Sequence, residues 1–230
     1  MKKFYLGNCF LTLLCLSACI FISCSCSKKT SETTSEDERG LSHSLDSRDN
    51  RPVIVAFGDS LTAGLRVDPD LNYPSHLQRK IDAGGYRYKV VNAGVSGETS
   101  SQGLNRIRTI IDLRPAIVIV ELGANDGLRG LPAEATRRNL AAIVQGLQSA
   151  GAKVVLAGMR VPPNYGQHYT STFRNIFKDV AKQYDVPLIP FFLEGVGGNA
   201  ALNQDDGIHP TAEGYKIVVE NVWAVLQPLL

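Results

Sequence analysis

Val53-Ile54-Val55-Ala56-Phe57-Gly58-Asp59-Ser60-Leu61-Thr62-Ala63-Gly64 is the stretch that decides how the rest of the chain is read. Five apolar residues, rich in β-branched and aromatic side chains, run straight into Gly-Asp-Ser. A short apolar run bounded by glycine predicts a strand buried on both faces, as in a parallel sheet. Ser60 then falls just past the carboxyl end of that strand, the edge at which open α/β sheets bind ligands. Gly58 permits a tight turn, and a helix starting there would aim backbone N–H groups at developing negative charge. A serine that only caps a helix fits the same stretch, so partners elsewhere in the chain must decide between the two.

Downstream, apolar runs alternate with helix-period segments. Tyr73, Leu77 and Ile81 predict a helix ended by Gly84-Gly85. Tyr88 to Asn92 predicts a second strand, and Leu104, Ile107 and Ile111 a second helical stripe. Ala116 to Leu122 is the plainest strand. Leu140, Ile143, Val144 and Leu147 follow at the spacing of one helix face. Lys153 to Ala157 makes a fourth strand, Phe173, Ile176, Phe177, Val180 and Tyr184 another helix, and Val186 to Ile189 a short fifth strand. Tyr215, Val218, Val219, Val222, Trp223 and Leu226 close the chain as a helix, with Trp223 read as packing. This alternation predicts the α/β class, a flavodoxin-like doubly wound parallel sheet of five strands with right-handed crossovers. Periodicity leaves the strand order open.

The chain has 230 residues, 44% hydrophobic and 20% charged, which suits one α/β domain plus extra material. Twenty-four basic against 22 acidic residues leave a net charge of +2, so nothing points to nucleic acid. All five cysteines (Cys9, Cys15, Cys19, Cys24, Cys26) fall in the first 26 residues. The remainder therefore has no disulfide framework and no thiolate metal site.

Those cysteines belong to an N-terminus that resembles a bacterial secretory signal: Lys2-Lys3, then an apolar run from Phe4 to Ile22. Leu16-Ser17-Ala18-Cys19 fits a lipobox, and Phe21-Ile22-Ser23-Cys24 is the alternative lipidation site. An uncleaved membrane anchor and plain secretion are the rival readings. Residues 27–51 are polar and without aromatics, and read as a disordered tether, His43 among them. The expected organisation is a lipoprotein-type signal and anchor over 1–26, the tether over 27–51 and one catalytic domain over 52–230. The expected location is exported and membrane-anchored, facing the periplasm.

Four segments fall where loops gather at one edge of such a sheet. They are Ser60 after strand one, Asn92-Ala93-Gly94-Val95-Ser96-Gly97 after strand two, Glu121 to Gly127 after strand three, and Asp206-Gly207-Ile208-His209-Pro210 before the last helix. A serine hydroxyl needs a base to take its proton, and the base needs a third group to hold one tautomer. Ser60, His209 and Asp206 supply these types, and one rigid turn can present Asp and His three residues apart. Pro210 keeps His209 extended and outside the helix. A tetrahedral oxyanion needs fixed donors, for which Gly94 offers a backbone N–H and Asn125 its amide. Each residue also has an ordinary structural reading: Asp206 as a turn residue, His209 at a helix entry, Asn125 in a turn. His76 and His168 have no comparable neighbours. No cluster has metal-ligand spacing, so no metal or other cofactor is expected.

Gly58-Asp59-Ser60-Leu61, Gly94, the Gly-x-Asn-Asp containing Asn125, and Asp206-x-x-His209 together resemble the four signature blocks of the SGNH (GDSL) hydrolase superfamily, over about residues 52 to 230. Asn125 to Gly130, Arg160-Val161-Pro162-Pro163-Asn164-Tyr165-Gly166 and Asp205 to Pro210 are similar to the bacterial acyl-thioesterase, lysophospholipase and arylesterase branch. The resemblance implies a three-layer α/β/α fold and hydrolysis of esters or thioesters through an acyl-enzyme, without metal. It implies Ser60 as nucleophile and N–H donor, Gly94 and Asn125 completing the oxyanion hole, His209 as base and Asp206 as its orienter. A lysophospholipid is among the implied substrates. A carbohydrate O-deacetylase and a non-catalytic binding lipoprotein are the alternatives. Leu128, Leu131, Val161 and Pro162 sit in loops after strands three and four, where apolar residues are expected to line a site for medium to long acyl chains.

Overall fold

The computed structural model describes residues 49–230. The expected signal and all of the tether up to residue 48 lie outside the described residues, as do Cys19, Cys24 and His43. Asp49 and Arg51, at the tether's end, are tied to the domain: the Arg51 guanidinium bonds Asp49 at 2.8 Å and the Tyr88 carbonyl at 3.3 Å.

Strands β1 (Val53–Gly58), β2 (Lys89–Gly94), β3 (Ile117–Glu121), β4 (Lys153–Ala157) and β5 (Leu188–Ile189) form one all-parallel sheet in the order β2-β1-β3-β4-β5. Ile54 to Phe57 and Ile117 to Leu122 are buried throughout, because helices cover both faces and leave no strand side for water. One helical layer holds α2 (Tyr73–Ala83) packed on α8 (Ala212–Leu226). The other holds α3 (Ser100–Asn105), α6 (Ala133–Ser149) and α7 (Gln167–Tyr184). The chain leaves β1 toward β2 on one side and returns to β3 on the other. This opens a crevice at the carboxyl ends of β1 and β3, the switch point of this strand order. Gly58, the last residue of β1, faces Gly94 on one side and Glu121 on the other.

Two elements differ from the sequence-based expectation. The stripe of Leu104, Ile107 and Ile111 is split into α3 and α4 (Ile107–Asp112), and the fully buried residue there is Ile110. Arg106 sits at the break, its guanidinium 4.6 Å from the centre of the Phe57 ring. It grips Glu98 through two nitrogens and bonds the Ala93 carbonyl at 2.8 Å. Turning this side chain inward interrupts the helix. β5 keeps only two of four expected residues, since Pro187 has no N–H to give a ladder.

Candidate active site

β1 stops at Gly58, Asp59 caps the four-residue α1 (Ser60–Ala63), and Ser60 is the first helical residue rather than the cap. The Asp59 carboxylate accepts the Leu61 N–H at 3.0 Å. Ser60's own N–H, in the first turn, has no intrahelical acceptor, and Ser60 lines the cleft. Gly58 is there for space: a Cβ would stand 2.1 Å from Thr62 Oγ1 and 2.5 Å from Glu121 Oε2. Gly64, at φ 81°, ends the turn in the left-handed region that glycine tolerates.

The loop before α8 presents the other two groups as one unit. Asp206 Oδ1 accepts the backbone N–H of Ile208 and of His209, each at 3.0 Å. Its Oδ2 accepts from His209 Nδ1 at 2.9 Å, and His209 Nε2 stands 2.9 Å from Ser60 Oγ. The backbone donation from His209, reinforced by Ile208 and the ring, lowers the Asp206 carboxyl to about 2. An ionised Asp206 assigns the proton to Nδ1 and leaves the Nε2 lone pair toward the serine hydroxyl. Hydrogen bonds seat this loop beside Ser60: Gln204 Nε2 donates to the carbonyls of Leu65 at 2.8 Å and Pro210 at 3.0 Å, and the Tyr215 hydroxyl donates to the Leu61 carbonyl at 2.9 Å.

Asn125 opens the next wall, near the start of α5 (Ala124–Leu128). Its amide donates to Asp59 Oδ2 at 3.0 Å and to the Glu98 carbonyl at 3.1 Å. Its neighbour Asp126 is a buried structural tie, accepting from Ser100 N at 2.8 Å, Ser100 Oγ at 2.5 Å and Thr136 Oγ1 at 3.2 Å.

Gly94, expected as an oxyanion donor, does not reach the cleft. It ends β2, its N–H is taken by Asn92 Oδ1 at 3.0 Å, and it packs against the Ala63 backbone. Three residues on, Gly97 lines the cleft with Ser60, Asn125 and His209. It stands at φ 80°, its carbonyl held by Arg129 Nη2 at 2.8 Å, while its N–H bonds no group among the described residues. The signal was available, since Gly97 lies in the same segment as Gly94, three residues further past the end of β2.

The triad cleft, about 260 Å³, shares Leu61, Ala124, Leu128 and Ile208 with an apolar cavity of about 310 Å³. Leu128, Val161 and Pro162 line that cavity, Leu128 as the last residue of α5 where a loop was expected, and Met159, Phe191 and Leu193 form walls that sequence reasoning missed. Leu131 is not brought in: it is exposed, and its carbonyl accepts the Tyr169 hydroxyl at 2.8 Å. The Tyr165 hydroxyl donates to the Leu128 carbonyl at 2.7 Å, which ties the segment after β4 to the end of α5. Gly127 serves packing, because a Cβ would meet Val161 and Phe173. His76 lies on α2 beside Arg79, and His168 is exposed on α7, both away from the cleft.

A serine, a histidine and a carboxylate in line at the mouth of an apolar slot define a serine hydrolase acting on acyl groups, and residues 56–217 match the GDSL-like Lipase/Acylhydrolase family, to which this chain belongs. It is an enzyme that hydrolyses ester bonds. The chain is 44% identical to the esterase TesA of Pseudomonas aeruginosa over 179 residues, 77% of this chain and 89% of that protein. It is 40% identical to the thioesterase 1/protease 1/lysophospholipase L1 of Escherichia coli, over 77% of this chain and 85% of that protein. The crystal structure of TesA superposes with a TM-score of 0.76, covering 77% of this chain and 99% of that one.

Proposed function

We propose that the chain hydrolyses carboxylic esters and thioesters of medium to long acyl chains, lysophospholipids included, through an acyl-enzyme on Ser60. His209 Nε2 takes the serine proton as Oγ attacks the acyl carbon, and Asp206 stabilises the imidazolium that forms. The oxyanion sits among the N–H groups of Ser60 and Gly97 and the amide of Asn125. As charge develops, the Asn125 donation now made to the Glu98 carbonyl turns to the oxyanion, the stronger acceptor. Collapse of the intermediate gives the His209 proton to the departing alcohol or thiol, and water, activated by the same base, releases the acid.

The observation that carries the chain-length reading is the apolar cavity joined to the triad cleft through Leu61, Leu128 and Ile208. Burying a methylene is worth about 0.8 kcal/mol, so four further methylenes add about 3 kcal/mol of transition-state binding, roughly 200-fold in kcat/KM. A series of nitrophenyl esters from acetyl to octanoyl tests this. A steep rise with length supports it, and activity confined to acetyl esters transfers the site to a deacetylase.

The same proposal places the enzyme outside the cytoplasm, held to a membrane by lipid on Cys19 or Cys24 with residues 27–48 as the spacer. Lys2-Lys3, the apolar run and the two lipobox-like sequences support this. Among the described residues no helix is long and apolar enough to cross a membrane. Radiolabelled palmitate should enter the full chain and be lost when both cysteines become serine; label that persists overturns the anchor.

A further inference from the structure

Asp59 and Glu121 are both fully buried and within hydrogen-bonding reach of each other beneath the nucleophile. Glu121 Oε2 accepts from Thr62 Oγ1 at 2.7 Å and from the Asp59 N–H at 3.3 Å, while Oε1 has no donor among the described residues. Asp59 uses both its oxygens, Oδ1 for the Leu61 N–H and Oδ2 for the Asn125 amide. The groups around the pair are polar but not cationic. Thr62 comes from α1, the buried Tyr73 from α2 and Tyr215 from α8, with Glu98 from the loop after β2. Arg106, which reaches the Gly58 carbonyl, is paired with Glu98. Burial raises both carboxyls, and the Asp59 charge raises Glu121 further. Two buried carboxyls without a cation cannot both stay ionised.

We propose that Asp59 and Glu121 share one proton, held on Glu121, and that this acid–carboxylate pair positions the Asn125 amide beside Ser60. The orphan Oε1 is the atom that carries the proton, and Asp59 is its acceptor. Asp59 is the one to stay charged, because the Leu61 N–H and the Asn125 amide both donate to it. The negative carboxylate then holds Asn125 and the first turn of α1 to a single point, so two walls of the oxyanion hole move together. A second ionisation would set two like charges side by side and break that geometry. Asp59 and Glu121 are positioning residues, since neither touches the reacting atoms. Their role in turnover rests on the reading of Asn125 as an oxyanion donor, whereas the shared proton does not.

Infrared spectroscopy of the full chain at neutral pH, with carbon-13 in the glutamate carboxyls, tests the proton directly. A protonated-carboxyl stretch that shifts with the label and disappears in Glu121→Gln is expected, and its absence from the wild type overturns the proposal. Kinetics test the positioning. Asp59→Asn offers one acceptor where two donors converge, so kcat should fall on the order of 10²-fold with KM little changed, as for loss of an oxyanion donor. Glu121→Gln keeps a donor to Asp59 and should recover much of the kcat that Glu121→Ala loses. Wild-type kcat in Asp59→Asn, or a Gln variant no better than Ala, overturns the positioning. An Asn125→Ala variant of full activity would instead remove the oxyanion reading and leave the infrared band in place.

Discussion

Arg66 Nη1 lies 3.2 Å from Asp206 Oδ2, the same carboxylate oxygen that receives His209 Nδ1 at 2.9 Å. Asp206 Oδ2 is thus shared between an imidazole and a guanidinium. The guanidinium competes for that oxygen as the serine proton moves to the ring, so Arg66→Gln should raise kcat/KM a few-fold at low salt. Arg66 is mostly exposed, so the gain should shrink as salt rises. Values of kcat/KM at low and high ionic strength check both statements.

With its carboxyl lowered to about 2, Asp206 stays ionised wherever the enzyme works. The sign for stability follows: a free carboxylate titrates at about 3.9, so Asp206 favours the fold above that pH. The contribution is lost as pH falls toward about 2. Asp206→Asn should remove this segment of the acid-unfolding curve. It should also cost on the order of 10⁴ in kcat, as when a triad loses the group that selects the histidine tautomer.

Ser60→Ala should abolish turnover while urea unfolding stays close to wild type, since the hydroxyl's one described partner is His209 Nε2. A phosphonate directed at serine nucleophiles should label Ser60 alone, read by peptide mass spectrometry. Label elsewhere, or an active Ala variant, removes the assignment.

Leu128→Asp should flatten the dependence on acyl length while leaving acetyl esters nearly as they were, because Leu128 lies where the triad cleft opens into the cavity. Leu131→Asp is the control. Its side chain is outside the cavity, so the chain-length series should keep its slope.

Gly58→Ala places a methyl against Thr62 Oγ1, Glu121 Oε2 and the Glu121 carbonyl, all within 2.6 Å of the new atom. Backbone on one side leaves little room to relax. A loss of about 3 kcal/mol in urea unfolding is expected. A loss well below about 1 kcal/mol would mean that the β1–β3 contact yields.

Much of this was legible because the chemistry is written in local signals. Ile54 to Phe57 and Ile117 to Val120 read as strands since residues covered on both faces need no alternation. Ser60, Asp206 and His209 stood out by type and by their position after strands or before a helix. Gly94 was misplaced because a glycine's donor is useful only if no neighbour takes it, and here the side chain of Asn92, two residues earlier on the same strand, accepts its N–H. Glu121 was read only as part of the third strand and the segment that follows it, and only the sheet register shows it facing Gly58. Phe191 and Leu193 enter the cavity from the loop after β5, far in sequence from Leu128, so no local pattern joins them.

His209 and Asp206 lie on one short turn, His209 149 residues after Ser60, and Gln204, Tyr215 and the Arg66–Asp206 pair seat that turn. A chain emerging from the ribosome therefore presents Ser60 long before His209. With the roles proposed above, the serine gains its proton acceptor only once the loop before α8 is made and seated, so ester hydrolysis would report that seating.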